Sequence, residues 1–497
     1  MRHAPLHRRL TLGPLIAAAA LVLAPAARAT PIPSVPEPPT YEGKPAVVRP
    51  IGGIPPIPRN PFMAANGVSE IHDDEWQSDA YTWTGPLGRS PQRKSTELNR
   101  DCGSLTFDHR GRVVSICIGA SGPELYMFDP TTLATLATFS LPLRQSVPSN
   151  IFQDFTGGGY FYLDNHDRVV AATTTKHIYV IAETGASPGF RLVRDYDLSH
   201  VLTTPEKITS ALPDSHGLLW VVARSDGVVL TLNFKTGKVH AIRLGHGAVG
   251  EIENSFATDQ HGGVYIATNR KLYRFGAGRG GVPRIVWQIR YPNSYEHKPG
   301  QVDDGTGTTP TVMPGGLVNI TDNADPMDVV VYRTAARLPH GVKRTVCRVP
   351  VFKKGSSATE NSLIGAGRSM IVENNYGYND PRDTSGGKLT APGVARVDLD
   401  FDRDSCRLVW TNWSVRVPTV VPKLSLANGL VYLYTKDPGR LDPWYWTTLD
   451  FRTGRVVYKQ ESGTGIGYNN NYAGIALGRN HRAYLGTLGG LISMWDK

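Results

Sequence analysis

The sequence has no Gly-x-Ser-x-Gly elbow, no phosphate-binding glycine loop, no Cys-x-x-Cys-His haem attachment and no Cys-x-x-Cys metal pair. The commonest serine-hydrolase, nucleotide and haem chemistries therefore have no foothold in it. It also lacks any apolar run of the roughly 20 residues that a membrane-spanning helix needs. No stretch of lysine and arginine tracks a phosphate backbone, and with 53 basic against 43 acidic residues the positive excess is mild. Neither a nucleic-acid partner nor an integral membrane segment is expected. Helical periodicity is almost absent.

What is present begins with a leader. Arg8 and Arg9 precede a short apolar run over residues 10–23, and Ala27-Arg28-Ala29 forms a small-residue cleavage site, so residues 1–29 read as an export signal. The expected location is periplasmic or secreted, by either the Sec or the twin-arginine route. Eleven prolines lie between Pro31 and Pro61, a density that disfavours helix and sheet ladder alike and predicts an extended tether over 30–62. The remainder, 63–497, reads as a single domain.

Four cysteines in an exported chain predict disulfides. Cys102 and Cys117 are equidistant from a turn centred between His109 and Arg110, which makes them a cross-strand pair. Cys347 and Cys406 would join equivalent strands of neighbouring repeats.

The repeats carry the fold. From about residue 100 a short apolar strand, a polar turn rich in Asp, His and Gly, a β-branched strand and an "LYxF"-like strand recur, as in "ENSFATDQHGGVYIATNRKLYRF" and "YAGIALGRNHRAYLGTLGGLISMWD". Residues 257–268 and 476–487 align without a gap. Eight copies begin near Cys102, Gly159, Lys207, Asn254, Thr309, Asn361, Lys423 and Ala473, a spacing of about 53 residues that marks a propeller of four-stranded blades. The fold class is all-β, an eight-bladed β-propeller, with seven blades as the alternative count.

The stretches "TLNFKTGKV" and "TLDFRTGRVVY", with Gly237 and Gly454, resemble the Asp-x-x-Thr-Gly-Lys-x-x-Trp blade motif of quinoprotein-type propellers. Trp287 and Trp410 would supply the indole that docks one blade on the next. The resemblance implies a pyrroloquinoline-quinone-like fold. The adjacent cysteine pair common beneath that cofactor is missing, and fold does not fix function.

Candidate chemistry sits where the inner strands begin, because groups from different blades converge there. Glu253-Asn254-Ser255 and Glu360-Asn361-Ser362 repeat two blade periods apart, with Lys207 and Lys423 at the same level of their own blades. The leading reading is a hydrolase or lyase: Glu253 and Glu360 as paired carboxylates, Asn254 and Asn361 orienting a small polar or saccharide ligand, and Lys207 or Lys423 neutralising charge. The same glutamates and asparagines would form an oxygen shell for calcium; pyrroloquinoline quinone is the weaker cofactor candidate. The plainer reading is that they only satisfy loop amides. A quinoprotein-like oxidoreductase and a non-catalytic envelope scaffold are the alternative functions.

Ahead of the first blade, "NGVSEIHDDEWQSDAYTWTGPLG" carries His72 and Asp73 among further acids. It reads as a solvated acidic loop or, if it helps to close the ring, as a ligand-contacting tip over the channel. The aromatic loops "ENNYGYNDPRD", "GYNNNYAG" and "DPWYWTTLD" suit a carbohydrate, whose ring stacks on aromatic faces, or else inter-blade packing.

Overall fold

The computed structural model describes residues 37–144, 151–154, 156–185 and 187–497; the expected export signal lies outside the described residues. The repeated turn explains the repeated strand pair. After the inner strand of four successive blades, Asp108, Asp164, Asp214 and Asp259 each accept two backbone N–H groups with Oδ1, two and four residues on, at 2.8–3.1 Å. An Asx turn of this kind reverses the chain and fixes the register of the second strand. The glycines of two of these turns, Gly111 and Gly262, take φ of 76° and 73°, where a Cβ would be strained.

Among the described residues the strands form eight sheets and there is no α-helix. Each sheet holds an antiparallel four-stranded blade, and in blade 7 Ala80–Tyr81 is added parallel to the inner strand. The inner strands are Asp101–Phe107, Phe161–Leu163, Ile208–Pro213, Ala257–Thr258, Thr311–Met313, Ile364–Ala366, Lys423–Ser425 and Ala476–Leu477, for blades 1 to 8 in order. The chain is an eight-bladed β-propeller. Its second strands are apolar rather than alternating because a blade is covered on both faces: Leu219–Ala223 is buried at every position. Each such Leu or Val contributes about 1.5–3 kcal/mol relative to leaving it exposed.

Ring closure comes from upstream. Gln92–Ser95 pairs antiparallel with Gly490–Trp495 and becomes the outer strand of blade 8. The proline-rich stretch is also laid on the ring, with Tyr41–Gly43 adding an outer strand to blade 7 and the Arg49 and Ile51 amides donating to the Asn428 and Leu426 carbonyls. Indoles dock blade on blade as the repeat implied. Trp287 of blade 4 donates to the Thr334 carbonyl at 3.1 Å, and Trp410 of blade 6 donates to Phe451 at 3.0 Å. A Cβ on Gly454 would lie 2.5 Å from the Trp410 ring, so that turn requires glycine.

Both disulfides form as expected. Cys102 and Cys117 are directly opposed in the first hairpin of blade 1, and Cys347–Cys406 ties the outer strands of blades 5 and 6.

The channel is not open. Residues 60–83 coil through it and bond the inner strand of every blade. Asn60 Nδ2 donates to Pro213, Thr106 Oγ1 to Val68, and the Leu163 amide to Ser69. The carbonyls of Glu75, Trp76, Ser78 and Asp79 then accept from Thr258, Val312, Gly365 and Leu424, stepping through blades 4, 5, 6 and 7. Trp83 Nε1 reaches Leu477 of blade 8 at 2.9 Å. To coil this tightly the segment holds Asp73, Gln77 and Asp79 at φ of 76°, 60° and 55°, conformations that cost about 1–3 kcal/mol each and persist only where surroundings impose them. The acidic stretch is therefore an axial plug and not a solvated loop: His72, Asp73, Glu75 and Asp79 are all at most 2% exposed.

Candidate functional site

On the side where the inner strands begin, the plug forms the floor of a cavity of about 790 Å³. Its floor is Ile71 and His72. Its lining is mixed, with the polar Asn254, Glu360, Asn361, Asp101 and Asn471 and the apolar Ile116, Leu143, Ile466 and Leu488.

The plug holds His72 from behind. Its Nδ1 lies 3.2 Å from Asp79 Oδ2, and Asp79 Oδ1 lies 2.5 Å from the Lys423 ammonium. Asp79 selects the tautomer with the proton on Nδ1, which leaves Nε2 as the acceptor facing the hydroxyls of Ser362 (3.3 Å) and Thr309 (3.4 Å). Lys423 is fully buried; it also contacts Asp73 at 3.4 Å and donates to the Ile71 carbonyl. It fastens the plug to blade 7 rather than facing a ligand.

The two Glu-Asn-Ser copies have parted company. Glu360 lines the cavity, its Oε2 accepting from the Val302 amide at 2.9 Å and its Oε1 from Asn254 Nδ2 at 3.4 Å. Asn254 Oδ1 in turn accepts from the Tyr160 hydroxyl at 3.2 Å. Burial, then the charge of Asp303, pushes the Glu360 carboxyl well above the usual carboxylate range, against the Val302 amide and Asn254. Glu253 instead faces Arg224 of blade 3 at 2.5 Å, the contact of an ion pair. Burial pushes its carboxyl upward while the guanidinium opposes this. The paired carboxylates expected from the repeat are thus one cavity acid and one ion-pair partner.

Asn361 lines the cavity, but its amide is engaged by Asn375 Oδ1 at 3.1 Å. Lys207 lies outside the cavity and pairs with Asp154 at 2.8 Å, which Arg144 also contacts at 2.8 Å. Burial of Asp154 is outweighed by Lys207, Thr156 and Arg144, which hold it low. Asp73 faces the other side of the plug. Of the aromatic loops, Tyr472 reaches the cavity, whereas Trp444 and Trp446 are buried within blade 7, stacked on or edge-on to Tyr434.

Two residues escaped the sequence reading. Asp101, half-buried on the cavity wall with Asn471 Nδ2 at 2.9 Å, has its carboxyl pushed by desolvation to about 7. Asp303 is likewise raised to about 7 by burial and by Glu251. Asp101 stands one residue before the repeat start at Cys102, the place that Glu253 and Glu360 hold in their own blades, so the repeat itself could have found it; Asp303 lies in the loop ahead of blade 5, away from any repeat start. Among the described residues no three His, Cys, Asp or Glu side chains form a set able to hold a metal ion.

No family model matches the chain. A protein of Archaeoglobus fulgidus described only as uncharacterized is 24% identical over 362 residues, which is 67% of this chain and 69% of that one. Among solved structures, a streptogramin B lyase shares 8% identity at a TM-score of 0.40, over 85% of this chain and 99% of its own. Sqt1 of Chaetomium thermophilum, bound to the N-terminus of ribosomal protein L10, shares 12% at 0.49 over 84% and 99%. Likeness at this level carries no chemistry across, and the propeller stands on its own strand pairing.

Proposed function

We propose that this chain is an exported acid–base enzyme, of hydrolase or lyase type, that acts on a small polar or saccharide ligand in the 790 Å³ cavity. The observation that carries the reading is that Glu360 and His72, from distant parts of the sequence, border the same cavity with complementary chemistry. Glu360 is a buried acid whose carboxyl burial raises well above the usual carboxylate range, which suits a proton donor. His72 presents Nε2 as acceptor, with Asp79 fixing the ring.

In hydrolysis Glu360 protonates the departing oxygen as the bond to it breaks, and His72 accepts a proton from the attacking water. In elimination His72 takes the proton from carbon, the carbon–oxygen bond breaks, a double bond forms, and Glu360 protonates the leaving oxygen. Asn254 and Asn471 donate to the Glu360 and Asp101 carboxyls and hold them at the cavity edge, and the apolar lining residues suit the C–H face of a sugar ring. Disulfides on blade 1 and between blades 5 and 6 suit an oxidising compartment.

The test is product analysis on a panel of oligosaccharides: a saturated product marks hydrolysis and a new double bond marks elimination. His72→Gln should lose either activity by about 100-fold or more while keeping its melting temperature. No turnover of any panel member by the wild type, or full turnover by the variant, contradicts the proposal.

A further inference from the structure

The plug has a second face. Where the inner strands end, it borders a smaller cavity of about 310 Å³, rimmed by residues 54–60 and lined by Glu75, Trp76 and Trp83. Glu75 is 1% exposed, and neither of its carboxyl oxygens accepts a close hydrogen bond among the described residues. The other acids of this wall are engaged, Asp73 with Lys423 and Asp74 with the Trp76 amide at 2.9 Å and the Ser78 hydroxyl.

Charge makes the position of Glu75 stranger. Burial first, then Asp74 and Asp259, pushes its carboxyl up to about 8, opposed only by a hydrogen bond from the Asn60 side chain. The Asn60 amide is bonded to the Pro213 carbonyl at 3.0 Å. Two arginines border the cavity, Arg59 and Arg479; the Arg479 guanidinium is stacked 4.3 Å over the Trp83 ring and donates to the Asn66 carbonyl. Lys423 is held by Asp79 and Asp73. A buried carboxyl with acidic neighbours, only the Asn60 amide as a nearby donor and the Trp76 indole on the same wall has the surroundings of an ammonium group that is not part of the chain, since a carboxylate and an aromatic face together replace the hydration a cation gives up.

We propose that the cavity bounded by Glu75, Trp76 and Trp83 binds the ammonium group of a small organic amine. The site lies across the plug from the first cavity, and its occupancy is readable without any assay of turnover. Binding draws the proton from Glu75, so affinity rises with pH, approaching about tenfold per unit below the carboxyl's own value.

The experiment is calorimetric titration of the full chain with n-butylamine, tetramethylammonium and the neutral control n-butanol. It is run near pH 6.5, by order of magnitude a unit or more below the Glu75 value, in two buffers of different ionisation heat. The expected result is that butylamine binds, butanol does not, and the apparent heat differs between buffers by the release of about one proton. Glu75→Gln should retain the melting temperature or raise it, lose the proton release, and weaken butylamine by at least about tenfold. Absence of binding by both cations, equal binding of butanol, binding without proton release, or undiminished binding by a folded Glu75→Gln each overturns the proposal. If that variant does not fold, the wild-type comparison of amine with alcohol and the proton count decide alone.

Discussion

The side-chain amide of Asn254 donates to Glu360 Oε1 at 3.4 Å, although the two residues precede the inner strands of blades 4 and 6. The contact spans a blade because the ring narrows toward its axis. It joins a member of one Glu-Asn-Ser copy to a member of the other, while the remaining glutamate turns away to Arg224. That divergence makes the two carboxylates separable by experiment.

Glu253→Gln should cost stability and spare chemistry. Replacing the buried carboxyl beside Arg224 leaves the guanidinium with Glu251 at 3.4 Å and should lower the unfolding free energy by about 1–3 kcal/mol. Turnover should stay within about threefold, since the side chain makes no contact with the proposed reacting groups. Urea unfolding and steady-state kinetics on one preparation check both halves.

Lys423→Met should be far more damaging. It strands Asp79 and Asp73 in a fully buried network, a loss of about 3–5 kcal/mol. Adding Asp79→Asn should recover part of that loss, and the double-mutant cycle on urea midpoints should return a coupling of at least about 1 kcal/mol. Simple additivity would show that Lys423 does not anchor the plug through Asp79.

The outcome at Lys423 marks where sequence reading stopped. The ring was legible because each blade is built from local hairpins: the Asx turns at Asp108 and Asp259, the spacing of the inner strands, and the two cysteine pairs all leave a period in the chain. The plug leaves none. Its carbonyls bond to strands of successive blades, each far away in sequence, so residues 60–83 show only a density of acids that a solvated loop shares. For the same reason the repeat could propose Glu253 and Glu360 as equals; the residue that distinguishes them, Arg224, belongs to a neighbouring blade. The stretch "DPWYWTTLD" read equally as a carbohydrate-stacking loop or as packing, and a strand, Pro443–Asp450, held between two others of blade 7 buries Trp444 and Trp446 as packing.

Stability should fall as pH rises through neutrality. Burial raises Asp101 and Asp303 to about 7 and Glu75 and Glu373 to about 8, whereas unfolded carboxyls titrate near about 4. Between those values the native state holds protons that the unfolded chain has released, so the unfolding free energy declines with pH across that window. The urea midpoint should be higher near pH 6 than near pH 9, by order of magnitude the span of these groups. A midpoint that rises across this range would contradict the buried, protonated acids.

The disulfide between blades 5 and 6 should be the first to open. Cys102 and Cys117 are fully buried, while Cys347 and Cys406 are half-buried. Mild reductant followed by alkylation and mass analysis should therefore label Cys347 and Cys406 first. Serine at both positions should cost up to about 4 kcal/mol on loop-entropy grounds, given the 59-residue separation.

The most direct test of the account is the kinetics of Glu360→Gln set beside Glu253→Gln. Glutamine at 360 keeps an acceptor for the Val302 amide but has no acidic proton to give. With an oligosaccharide that the wild type turns over, kcat should fall by about 100-fold to 10,000-fold with KM little changed, while Glu253→Gln stays near wild type. Equal losses in both variants, or full activity in Glu360→Gln, would contradict the assignment of Glu360 as the acid of this cavity.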